Sequence, residues 1–323
     1  WAWTYVVMAG VMLVGVVTTM VIDEPIGTVP DEDVNITEDY IRFVAIFIIA
    51  ACTFVGVFWS TAYLAGTTKA LLINFGWIKQ LSSFVVEGLR LVIAVLGAGI
   101  IGWLAIHLGV APQATIRRAY IGPISDFFSR YGKMALLVLA LVATYRISDV
   151  IMGVMANVFY IDLGFEKQEI GRISKGFGLI MIILGGFLGG LLTVRYGVMR
   201  VLFVGGLLAA STNLLFAVLD SMGNIVWMLM VVISADNLSA GIASAAFVAY
   251  LSSLTNRTFT ATQYALFSSI MLLLPKLLAG YSGVVVDAIG YSTFFILTAI
   301  IGVPVLFLIL LVSRVRVLKH EIQ

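Results

Sequence analysis

The chain has 323 residues, 61% of them hydrophobic and only 11% charged, with 19 basic against 17 acidic residues for a net charge of +2. Soluble domains carry about a quarter charged residues, so a water-soluble globular fold is excluded. The basic residues sit at the ends of apolar stretches and give no reason to expect nucleic acid, and the single cysteine, Cys52, excludes an intrachain disulfide and a cysteine-based metal site.

Stretches of about 20 apolar residues, each long enough to cross the hydrocarbon core, recur near 1–22, 40–65, 83–109, 134–160, 173–195, 199–219, 225–253, 262–286 and 291–314. They predict an all-α integral membrane protein. The first begins mid-span at Trp1, with no initiator Met and no basic start of the signal-peptide kind. It reads as the last helix of an incomplete N-terminal bundle, with the chain as the C-terminal part of a longer one. An acidic linker at 23–39 follows, placed in the cytoplasm by the alternation of spans. Residues 40–110 read as an accessory pair of spans. Gly97, Gly99 and Gly102 suit close helix contact there, and Glu87 can pair with Arg90 at i,i+3.

Residues 111–133 form a second linker. Ile121, Ile124, Phe127 and Phe128 recur in it at helical spacing, which predicts an amphipathic helix on the cytoplasmic face. Residues 134–316 then form a unit of six spans, and 317–323 a tail. Basic loops stay in the cytoplasm. Arg117, Arg118, Arg130 and Lys133, then Arg195 and Arg200, then Arg257, then Arg314, Arg316 and Lys319 place every second loop and the C-terminus there. The loop 162–175 dissents, with Lys167, Arg172 and Lys175 tempered by Glu166 and Glu169.

Two joints of the six-span unit look alike. Gly190 to Arg200 joins its second and third spans, and Gly283 to Gly290 its fifth and sixth. Both read glycine, three residues, Val194 or Asp287, two residues, glycine (Gly197 or Gly290). The first glycine lets backbones approach and the second permits a tight turn. Paired joints three helices apart predict a three-plus-three inverted repeat.

Ionisable groups inside a span cost about 2.5–3.5 kcal/mol on insertion scales and by default mark function. Asp149 lies deep in its span, with Tyr145 and Arg146 four and three residues earlier on the same helix face. It is the first candidate for a proton site, against the alternative of a permanent salt bridge that fixes helix rotation. Asp236, with Asn237, sits midway along the seventh span among small residues and is the second candidate. Lys276 lies mid-span directly after Pro275, which removes a backbone donor and is expected to break the helical ladder there. With Lys175 and Arg146 it is suited to anionic substrate groups. Asn213, Asn237, Tyr250 and Gln263 offer donors and acceptors for sugar hydroxyls and amides, and Tyr145 offers a ring for stacking. No nucleophile–base set, metal spacing or phosphate-binding glycine loop is present. His107 and His320 stand apart, so neither an enzyme nor a cofactor is expected.

Gly190, Arg195, Gly197 and Arg200 resemble the loop motif of the major facilitator superfamily, with Val194 where that motif has an acid. Further stretches resemble one family within it, the AmpG anhydromuropeptide permeases. They are Tyr145–Asp149, Ser174–Lys175, Asp236–Leu238 through Gly241–Tyr250, Thr255–Asn256 and Ala261–Leu266. The resemblance covers about 134–316 well and 1–24 weakly, and the extra pair of spans is similar to fourteen-helix versions of the family. It implies a proton-driven importer of N-acetylglucosaminyl-anhydro-N-acetylmuramyl peptides that serves cell-wall recycling in the bacterial inner membrane. It also implies five further N-terminal helices, without which half of the cavity is missing and the chain alone is not expected to transport. The expected mechanism is alternating access around a midplane cavity. Gly190, Arg195, Gly197, Arg200, Gly283, Asp287 and Gly290 are its conformational joints. The rivals are an importer of another solute, such as a peptide or an organic anion, and a membrane scaffold without turnover.

Overall fold

The computed structural model describes residues 2–22, 36–108 and 121–314. Most of the acidic linker, the basic pair Arg117 and Arg118, and the tail with Arg316, Lys319 and His320 lie outside the described residues. The described part is all-α. Helix α1 (Ala2–Val21) is apolar over its 20 residues and falls in a unit separate from the rest. The second unit starts with α2 (Ile36–Ser60), α3 (Ala62–Asn74) and α4 (Lys79–His107). After α5 (Gly122–Tyr131) comes the unit that the sequence divides into six spans. Their helices are α6 (Ala135–Thr144), α7 (Ile147–Asp162), α8 (Lys167–Arg172), α9 (Leu179–Tyr196), α10 (Val198–Met222), α11 (Val226–Leu254), α12 (Thr260–Ala279), α13 (Ser282–Ile289) and α14 (Tyr291–Ser313). Among the described residues seven helices are long and apolar enough to cross a membrane, or eight if the bent α2–α3 pair counts as one span.

Three boundaries differ from the sequence expectation. The span expected at 40–65 does not stop there. It bends by 43° at Thr61 and continues as α3 to Asn74. The bend exposes backbone groups inside an apolar layer, and Arg90 of α4 answers them: it donates to the Phe58 carbonyl and, at 3.3 Å, to Thr61 Oγ1, with its guanidinium 4.0 Å from the centre of the Phe58 ring. Glu87 pairs with Arg90 as expected and also with Lys69 of α3, so three charges share one site. The second difference lies at α5. It forms as an amphipathic helix with Phe127 and Tyr131 buried, but the stretch Gly122–Asp162 continues as one apolar rod of 41 residues with no bend beyond 40°. The helix therefore prolongs the first span of the six instead of turning sharply away from it. The third is at Pro275, where the helix runs on. The break comes at Gly280–Tyr281, between α12 and α13.

The two joints singled out in the sequence share one geometry. Gly197 has φ 86° and ψ 153°, and Gly290 has φ 76° and ψ 165°. Each glycine N–H bonds four residues back, Gly197 to Thr193 O at 2.9 Å and Gly290 to Val286 O at 2.8 Å. Only glycine takes such a backbone without strain, so each chain reverses through one residue into the next helix.

Lipid is as apolar as leucine, so these helices associate by close packing rather than by escape from water. The tightest seam runs between α9 and α11. A Cβ on Gly185 would stand 2.2 Å from the Leu238 carbonyl oxygen, and one on Gly241 2.4 Å from the Ile182 oxygen. Helix α10 packs against α11 on one side and α14 on the other, and α12 packs against α6 and α7. A ring cluster fills one end of the bundle, with Phe159 and Phe216 against Phe295 at 4.8 and 5.2 Å between centroids.

Candidate functional site: a charged hollow inside the bundle

The first span is interrupted once, at Tyr145–Arg146, between α6 and α7. The interruption puts Asp149 in the first turn of α7, where a carboxylate suits the helix dipole. Asp149 is paired with Arg146 through one guanidinium nitrogen, and the other nitrogen donates to Ser244 Oγ on α11 at 2.9 Å. The side chains are 22% and 26% exposed, so the pair is shielded without being sealed. Tyr145 is locked from behind: its ring stacks on Phe247 at 4.5 Å and its hydroxyl donates to the Leu202 carbonyl at 3.1 Å.

These residues line a hollow with Gly206 and Ala209 of α10, Ala240 and Ala243 of α11, and Gly302 and Val305 of α14. Its volume is about 20 Å³. That is enough for one water molecule and far too little for a sugar. The small residues that seemed to serve packing alone thus also leave space beside the carboxylate.

Asp236 lies on α11, two helical turns before Ser244 and on the same side. Among the described residues its carboxylate accepts only a long contact from Thr212 Oγ1, at 3.5 Å, while Thr212 also meets Ser239 Oγ at 3.4 Å. Asp149 and Arg146 are both near enough to act on it electrostatically. The structure therefore gathers Tyr145, Arg146, Asp149 and Asp236, and adds Ser148, Thr212, Ser239 and Ser244. Ser244 was legible in principle, because a hydroxyl eight residues from Asp236 shares its face.

The other candidates are placed elsewhere. Asn213 is 1% exposed and bonds Ser148 and Thr298 in the interior. Asn237 bonds its own helix, to Ile233 O at 2.8 Å, and packs against Gly178. Tyr250 is fully buried, with its hydroxyl unpartnered among the described residues. Lys276 lies on the exposed side of α12, beside Ser269 and Leu273, and pairs with neither aspartate among the described residues. Lys175 is exposed in a π-helical turn, Ile173–Gly178, that leads into α9. Of the joint residues, Asp287, Arg195 and Arg200 are exposed, and the Arg195 guanidinium lies 5.5 Å from the Tyr196 ring centre. A Cβ on Gly190 would meet nothing within 4 Å, and one on Gly283 would stand 4.0 Å from Met155 Sδ.

Gln263 is also buried, at the turn between α11 and α12. It donates to Pro123 O at 2.8 Å and Asp126 Oδ2 at 2.9 Å, and it accepts from the Asn256 N–H at 2.7 Å and Arg130 at 3.3 Å. All of its hydrogen-bonding capacity goes into tying α5 to that turn, so it offers nothing to a sugar. Gln263→Leu is expected to destabilise the protein by about 1–3 kcal/mol, the cost of orphaning buried polar groups. It should also open α5 to protease, as a thermal melt and a proteolysis time course would show.

No family model matches the chain. It is 34% identical over 196 residues to a Rickettsia felis protein that carries the transporter name AmpG 4, covering 61% of this chain and 47% of that one. It is 32% identical over 197 residues to the anhydromuropeptide permease of Escherichia coli K12, covering 61% and 40%. Over that stretch the sequence is similar to proteins that carry the AmpG and anhydromuropeptide permease names. An uncharacterized Haemophilus influenzae protein is 33% identical over 195 residues, with 58% and 46% covered. The chain thus matches less than half the length of each of these relatives. The first two carry transporter and permease names, which accords with a multi-pass membrane protein whose charges gather inside the bundle.

Proposed function

We propose that this bundle serves a secondary transporter of the bacterial inner membrane that imports anhydromuropeptides by proton symport. The observation that carries the reading is the Arg146–Asp149 pair at a hollow of one-water size, with Asp236 within electrostatic reach of the pair, in a chain similar in sequence to AmpG-named transporters. A hollow of that size takes a proton carrier and refuses the solute. In this reading Asp149 is the first proton site and Asp236 the second. Protonation of Asp149 neutralises it and loosens its hold on Arg146, which frees the break at Tyr145–Arg146 to move.

The solute meets the exposed face instead. There Lys175 and Lys276 offer cations to the stem-peptide carboxylates. The glycine joints at Gly197 and Gly290 carry the helix motion of alternating access. Uptake of a labelled anhydromuropeptide into membrane vesicles, driven by an imposed proton gradient, tests the reading with the full-length protein. Competition by unlabelled muropeptide, and none by dipeptides or simple organic anions, is the expected result. Competition by dipeptides in its place would assign the bundle to another solute, and uptake indifferent to the gradient would remove the proton.

A further inference from the structure

One buried polar cluster is not used by the mechanism above. Ser148, Asn213 and Thr298 come from α7, α10 and α14, and all three are buried. The Asn213 amide nitrogen donates to Ser148 Oγ at 2.8 Å and to Thr298 Oγ1 at 3.2 Å. Each hydroxyl passes the bond on to the backbone of α14, Ser148 Oγ to Thr298 O at 2.7 Å and Thr298 Oγ1 to Phe295 O at 2.8 Å. One amide thus feeds two parallel relays that end on the same helix. In a medium without water such relays strengthen one another.

Their place gives them a purpose. Ser148 precedes Asp149 and lines the same hollow. Three residues before Ser148, the Tyr145 hydroxyl holds the Leu202 carbonyl of α10. The break in the first span is therefore pinned on both sides, and Arg146 lies between the pins. An unpinned break in a helix is a hinge. Helix α14 comes close enough for this only because residue 302 is glycine: a Cβ there would stand 3.0 Å from Ala210 Cβ and 3.5 Å from Ser148 Oγ. Asn213 Oδ1 is buried with no hydrogen-bond partner among the described residues, so the amide is held for its two donors at the expense of its acceptor. An asparagine that served only as glue between helices would use both ends.

We propose that Asn213, through Ser148 and Thr298, is a positioning residue that fixes the first turn of α7 and thereby sets the Arg146–Asp149 pair at the hollow. Its task is to aim the acid. It does not touch the solute, which revises the sugar-binding role expected from the sequence. The proposal rests on Asp149 carrying the proton only for its effect on transport; the mechanical part stands alone.

The test uses Thr298→Val, Thr298→Ser and Asn213→Leu in the full-length protein in lipid. Valine keeps the shape of threonine and removes the hydroxyl, while serine restores the hydroxyl. Backbone hydrogen exchange over residues 145–150 is expected to quicken about tenfold or more in Thr298→Val and Asn213→Leu, each of which removes two of the cluster's bonds, and to stay at the wild-type rate in Thr298→Ser. Exchange along α9 and α11 should not change in any of them. In uptake assays the valine and leucine variants should lose kcat about tenfold with KM held, and the serine variant should keep both. Unchanged exchange at 145–150 in Thr298→Val overturns the clamp. Faster exchange with kcat intact overturns the positioning role. The proton reading fails on a separate measurement, the gradient dependence of uptake in Asp149→Asn, which leaves the exchange result where it stands.

Discussion

Asp149→Asn is expected to abolish proton-driven accumulation while leaving the protein in the membrane. Asparagine matches the shape of aspartate and can still accept a hydrogen bond from Arg146, but it carries no charge and takes up no proton in the working pH range. The substitution removes this counter-charge from Arg146 and keeps its bond to Ser244 Oγ. Removing one member of a buried ion pair costs about 3–5 kcal/mol, and because both side chains are about a quarter exposed the lower end of that range applies. Accumulation of labelled substrate against an imposed gradient, and alkalinisation of the medium during uptake, would both fall to background. Exchange of labelled for unlabelled substrate without a gradient should persist, since the solute face is untouched. Full accumulation by Asp149→Asn, with Asp236→Asn inactive, would transfer the proton to Asp236. Full accumulation by both variants would end the symport reading.

Gly241→Leu is expected to prevent folding, and Gly185→Ala to weaken it measurably. At both positions the atom that a side chain would strike is main chain, not the movable end of a neighbour: the Ile182 oxygen at 2.4 Å for Gly241 and the Leu238 oxygen at 2.2 Å for Gly185. The helices would have to separate, and overpacking of this kind costs about 1–3 kcal/mol even for small additions. Gly186 lies next to Gly185 on the same helix with nothing within 4 Å of an added Cβ, so Gly186→Ala should melt as the wild type does. Thermal unfolding in detergent and the yield of membrane-inserted protein would separate the three. A Gly185→Ala protein as stable as Gly186→Ala would show that α9 and α11 are not locked together as their backbones indicate.

Much of this architecture was legible because lipid leaves few options. A run of twenty apolar residues in a chain with so few charges has to be a spanning helix, and glycines at Gly197 and Gly290 mark where such helices reverse. The Tyr145–Asp149 cluster stood out for the same reason, since a charge within a span is costly. What stayed hidden was every feature that depends on a neighbour distant in sequence. Gln263 reads identically whether it binds a sugar or Asp126, and only the fold sets α5 beside it. Asn213 likewise shows no sign that its partners lie 65 and 85 residues away. Pro275 suggested a break that the helix absorbs, while Gly280–Tyr281 breaks without a proline. The bend at Thr61 was invisible because the residues that make it tolerable, Arg90 above all, sit on another helix.

The glycine seam between α9 and α11 has a mechanical consequence. Two helices in main-chain contact along several turns cannot slide or tilt separately, so they travel as a single girder. Helix α11 carries Asp236 and Ser244 on that girder. The partner span is built the opposite way, since Gly280–Tyr281 divides it into α12 and α13. Strain that enters the bundle at Asp149 has a stiff member to push on and a jointed one to flex, and the jointed one also bears Lys276.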